Sequence, residues 1–82
     1  MKAHDYDMQV VREATHFVAF IQLQGDRRRA EAQSYEAALA HITEWQQQCQ
    51  TNRKGIVYAV NAAGRQVCVD SRMIEQLKQE KV

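Results

Sequence analysis

The chain has 82 residues, of which 45% are apolar and 26% charged, with a formal net charge of +1. That composition describes one small globular domain over residues 1–82, with no room for a second domain or a deep pocket, and its near-neutral balance excludes wholesale electrostatic attraction to nucleic acid or to a membrane surface. The longest mainly apolar run, Phe17–Leu23, is too short to cross a bilayer, and no basic segment leads into an apolar one as in a signal peptide.

Residues 1–16 mix two periods. Tyr6, Val10 and Ala14 fit helical spacing, while Met8 and Val10 also fit strand alternation. The segment reads as a short helix or an irregular arm.

Phe17–Gln24 reads as a strand, aromatic and β-branched, ended by Gly25-Asp26. A Gly-Asp pair is a two-residue hairpin signal. It predicts that Leu23 faces Arg28, Ile21 faces Ala30 and Ala19 faces Ala32. Alternation then puts Phe17, Ala19, Ile21, Leu23, Ala30 and Ala32 on one apolar face, for the core. Val18, Phe20, Gln22, Arg29, Glu31 and Gln33 take the other face, where Val18 and Phe20 are out of place in water.

Ser34 opens a helix, with Glu36 suited to the positive end of its dipole. Tyr35, Ala38, Leu39, Ile42, Trp45 and Cys49 recur at helical spacing and predict one buried stripe. Residues 51–55 end the helix, with Gly55 as breaker. Ile56–Val60 and Gln66–Asp70 form a second hairpin whose register forks. A two-residue Ala63-Gly64 loop groups Ile56, Tyr58 and Val60 with Val67 and Val69. A type I turn on residues 61–64 with a Gly bulge groups Val57 and Ala59 with Val67 and Val69 instead, and Asn61 and Gly64 favour this second path. Asp70 or Ser71 caps a last helix with an apolar stripe of Met73, Ile74 and Leu77. Lys78 and Lys81 suit its C-terminal end.

The pattern strand, Gly turn, strand, Ser, helix therefore occurs twice, with Gly25 matching Gly64 and Ser34 matching Ser71. The predicted fold is α+β: tandem ββα units forming a predominantly antiparallel four-stranded sheet, with two helices on one face.

Chemistry is sparse. His41 and Glu44 share a helix face, but neither they nor His4 and His16 assemble the three or four ligands that zinc requires. Cys49 and Cys68 lack an activating base and Cys-x-x-Cys spacing, which predicts reduced thiols and a cytoplasmic location. The chain carries no P-loop, Gly-x-Ser-x-Gly, Gly-x-Gly-x-x-Gly or His-Glu-x-x-His. The expectation is a protein with no enzymatic activity, cofactor or metal. Two surfaces remain. Arg27, Arg28 and Arg29 follow the first turn, and an up-down-up chain path brings Arg53 and Lys54 to the same end. These five are a candidate anion or nucleic-acid contact, or else a solvated hairpin whose charges guard an edge strand. Val18 and Phe20, with Tyr58 or Val57, are a candidate interaction surface on the helix-free face. It is covered by residues 1–16, covered by another subunit or partner, or left exposed. The expected role is a non-catalytic protein–protein interaction or regulatory module, bound to another protein or to itself as a homodimer. Nucleic acid is the alternative partner.

Overall fold

The computed structural model describes residues 3–80, with side chains from Asp5 onward. Lys81 and the side chain of His4 lie outside the described part. Among the described residues the fold is α+β, with three helices and one open four-stranded antiparallel sheet. The elements are α1 (Ala3–Arg12), β1 (Ala14–Leu23), β2 (Asp26–Ala32), α2 (Tyr35–Gln48), β3 (Ile56–Asn61), β4 (Gln66–Val69) and α3 (Ser71–Glu80). Strand order is β2-β1-β3-β4, so the first strand of each hairpin lies in the centre of the sheet. Of the two readings of the segment before β1, the short helix is found: α1 spans Ala3–Arg12, and β1 begins at Ala14.

The first hairpin turns on Gln24-Gly25 rather than Gly25-Asp26, since Leu23 pairs with Asp26 and Ile21 with Arg28. Only Gly25 takes a positive φ, +75°, which suits a glycine as the second loop residue. The register is displaced by two residues from the expected one. An even displacement leaves every side chain on its expected face. The second hairpin takes the bulged path: Gly64 N–H donates to Asn61 O (3.0 Å) and Asn61 N–H to Arg65 O (3.1 Å). Asn61 Oδ1 also accepts from the backbone of Ala63 and Arg65, at 3.1 and 3.0 Å. Val57 accordingly faces Val69, and Ala59 faces Val67.

β1 begins at Ala14, earlier than its apolar run suggests. A bulge at Thr15 separates the Ala14–Asn61 and His16–Val60 pairs. The extra residue lets Ala14 pack with the helices while His16 takes the opposite face,.

Ser34 caps α2, its hydroxyl accepting from Ala37 N–H at 3.0 Å. Asp70, not Ser71, caps α3, with Oδ1 accepting from Met73 N–H at 3.0 Å. α2 ends at Cys49 rather than at Gly55. Gln50 turns left-handed (φ 50°), Gln50 N–H donates to Gln47 O, and Thr51 N–H donates to Gln46 O. This is a Schellman closure made without glycine.

One buried cluster joins Ala38 and Ile42 of α2 to Ala19, Ile21, Leu23, Ala32 and Val57. The other joins Met8, Val10 and Val11 of α1 and Met73 of α3 to Ala59, Val67 and Val69. The expected α2 stripe needs correction at two positions: Leu39 is 40% exposed and Cys49 is exposed. Trp45 is half-buried and stacks on His41, with ring centroids 5.8 Å apart. The inward arc is narrower than the sequence period implies, running through Tyr35, Ala38, Ile42 and Trp45.

Candidate interaction surfaces

Pairing assigns the face opposite both clusters residue by residue. Arg29, Phe20 and Ile56 form one row across β2, β1 and β3. Glu31, Val18, Tyr58 and Cys68 form the next row across all four strands. His16, Val60 and Gln66 form a third, while Gln22 and Arg27 lie beyond Phe20. None of the face's apolar residues belongs to a helix-packed cluster.

α1 does not cover this face. Its Met8, Val10 and Val11 pack with β3, β4 and α3 on the other side. Arg12 pins it there, its Nη2 donating to Glu80 Oε1 at 2.6 Å and its Nε to Oε2 at 2.9 Å. Arg65, in the turn between β3 and β4, reaches Tyr6 of α1, hydrogen-bonded to its hydroxyl and placed over its ring. The forked Arg12 donor holds the Glu80 carboxyl below its ordinary range, and the Glu80 acceptor raises the Arg12 guanidinium in turn,.

The candidate residues differ in exposure. Val18 is only 1% exposed, because Phe20 stands two residues along its strand and Tyr58 directly opposite. It is a floor, not part of an exposed surface. Phe20 and Tyr58 are half-buried and Ile56 is 37% exposed; these three make the apolar relief. Val57, the other candidate partner for Phe20, is in the core. Sequence reading missed Ile56 as a neighbour of Phe20, because only the β1–β3 register sets them opposite each other.

The basic residues separate by strand alternation. Arg28 lies on the helix side, where its Nη1 donates to Gln48 Oε1 of α2 at 2.9 Å and its Nε meets Asp26 Oδ2 at 3.5 Å. Arg53 lines a cleft of about 460 Å³ with Leu23, Gln24, Asp26, Cys49, Gln50 and Thr51. The first turn and the end of α2 therefore share one end of the fold. Arg27 and Arg29 lie on the opposite face from Arg28, and Lys54 is exposed in the loop before β3. Asp26 contributes a carboxylate to the cleft. Alternation thus divides Arg27 and Arg29 from Arg28.

A second cleft, of about 370 Å³, lies between the helices and includes Val11, Phe17, Tyr35, Ile74 and Leu77. Tyr35 is half-buried there. Desolvation, followed by the charges of Asp70 and Glu36, raises its phenol above the ordinary 10.0,. Among the described residues no three His, Cys, Asp or Glu side chains are grouped to hold a metal, and no helix is long and apolar enough to cross a membrane. Both thiols are free and exposed. No protein-family model, curated protein or solved structure matches the chain.

Proposed function

We propose that this chain is a non-catalytic protein-docking module that works through the open face of its sheet. One observation carries the reading: Phe20, Ile56 and Tyr58 stand beside Val18 on the face opposite the helix-packed clusters. Apolar relief of this kind, rimmed by Arg27, Arg29, Glu31 and Gln66, is the composition of an interface core and rim. The reading treats the two ββα stretches as copies of one unit whose helix sides form the core and whose outer sides form the docking face.

The test is a photo-crosslinking amino acid placed at Tyr58 in the native cell, with a control at exposed Glu75 on α3. Protein adducts at position 58 and none at position 75 are the expected result. Absence of any adduct at position 58 overturns the reading.

The alternative, a phosphate or nucleic-acid contact through Arg27, Arg28, Arg29, Arg53 and Lys54, is weakened by the division of the arginines between two faces. It would require polynucleotide binding that declines steeply with salt.

A further inference from the structure

The occupant of the open face can be specified further, resting on the docking reading above. We infer that it is a second copy of this chain, related by a two-fold axis that crosses the strands between two rows. One row is Arg29, Phe20 and Ile56; the other is Glu31, Val18 and Tyr58. Charge complementarity and surface relief together favour this occupant.

An isologous contact brings each row of one copy over the other row of its partner. About this axis, Arg29 of each copy meets Glu31 of the other, the two pairs lying on either side of the axis along the β2 edge of the interface. Phe20 sits over the shallow floor at Val18, and Ile56 meets Tyr58. Sheets pack face to face about 10 Å apart with strands within about 30° of alignment, and that spacing is filled by such interdigitating side chains. Within one chain, neither Arg29 nor Glu31 joins an ion pair among the described residues; the three pairs are Arg12–Glu80, Arg28–Asp26 and Lys78–Glu36. Both stand on edge strand β2, exposed, on one face and two residues apart. Opposite charges at that spacing satisfy each other when two copies meet about the axis between them. A contact with its charges matched and its apolar centre buried is favoured, whereas like charges set against each other at an interface are strongly repelled.

The experiment is sedimentation of the purified full chain over a wide concentration range. Wild type is expected to associate toward twice its 9.5 kDa mass, and Phe20→Glu to sediment as a monomer with an unchanged circular dichroism spectrum. Arg29→Glu and Glu31→Arg should each weaken self-association at least ~10-fold, because each sets like charges together. Mixing these two single variants in equal amounts should restore association as a mixed dimer, and the double reversal Arg29→Glu/Glu31→Arg should restore it in one chain. A monomeric wild type at millimolar concentration overturns the inference. So do single variants that associate normally, or a mixture that stays dissociated. If the chain is monomeric while position 58 still crosslinks another protein in cells, the self-association inference fails and the docking reading stands. If position 58 captures nothing as well, both fail.

Discussion

Gly55 lies so close to Ile42 that a Cβ at position 55 would stand 2.7 Å from Ile42 Cδ1 and 2.8 Å from both Cγ1 and Cγ2. The loop leaving α2 therefore folds back onto the helix's own buried face on its way into β3. Real Cβ atoms do not approach so closely, so Gly55→Ala forces Ile42 or the loop to move. The expected loss is about 1–3 kcal/mol, the usual consequence of overfilling a packed core. In an Ile42→Ala background the same substitution should cost much less. A double-mutant cycle by urea denaturation measures the coupling, and additive effects would refute the contact.

Leu39 and Ile42 are both apolar positions of α2, yet they should respond differently to truncation. Ile42 is 6% exposed and belongs to the core, whereas Leu39 is 40% exposed. Ile42→Ala should cost about 2–5 kcal/mol. Leu39→Ala should cost about 1 kcal/mol or less, since much of its surface is already wet and alanine is the better helix former. Equal losses in chemical denaturation would mean that α2 is rotated from the orientation described.

The left-handed residue at the end of α2 is an unoptimised position. Gln50 holds φ 50° while its N–H closes onto Gln47 O at 3.3 Å. A side chain in this region is strained in a way glycine is not, while glycine adds some freedom to the unfolded chain. Gln50→Gly should therefore stabilise the protein by about 0.5–1 kcal/mol. A lowered thermal midpoint would show that Gln50 contributes something beyond the helix cap.

Tyr35 should ionise above the ordinary tyrosine range. Its phenol is raised above 10.0 chiefly by desolvation. The proton is held more tightly in the folded chain, so this contribution to stability is complete below the unfolded value. It is lost as pH rises through the folded one. The difference between ultraviolet titrations of wild type and Tyr35→Phe should isolate a Tyr35 phase above 10.0. A Tyr35 phase at or below 10.0 would contradict the burial described.

Much of the secondary structure was legible in the sequence because its signals are local. Ser34 precedes α2, Asn61 and Gly64 fit the bulged turn, and strict alternation sorts Phe17–Leu23 onto two faces whatever the strands pair with. The two-residue error at the first turn was harmless for the same reason, since strand faces have period two. Other features depend on residues far apart in the chain. Nothing near Ile56 reveals that it faces Phe20, because the β1–β3 register joins segments separated by the whole of β2 and α2. The side taken by α1 depends on its fit against β3, β4 and α3 and on the Arg12–Glu80 pair, not on its own mixed period. The exposure of Leu39 depends on how α2 lies across the sheet, because an amphipathic arc limits the faces a helix can bury without choosing its centre. The same holds for the candidate surfaces. Alternation alone set Phe20 apart from the core, whereas the row containing Arg29 and the separation of Arg28 from Arg27 and Arg29 required the folded sheet, in which pairing decides which side chains become neighbours,.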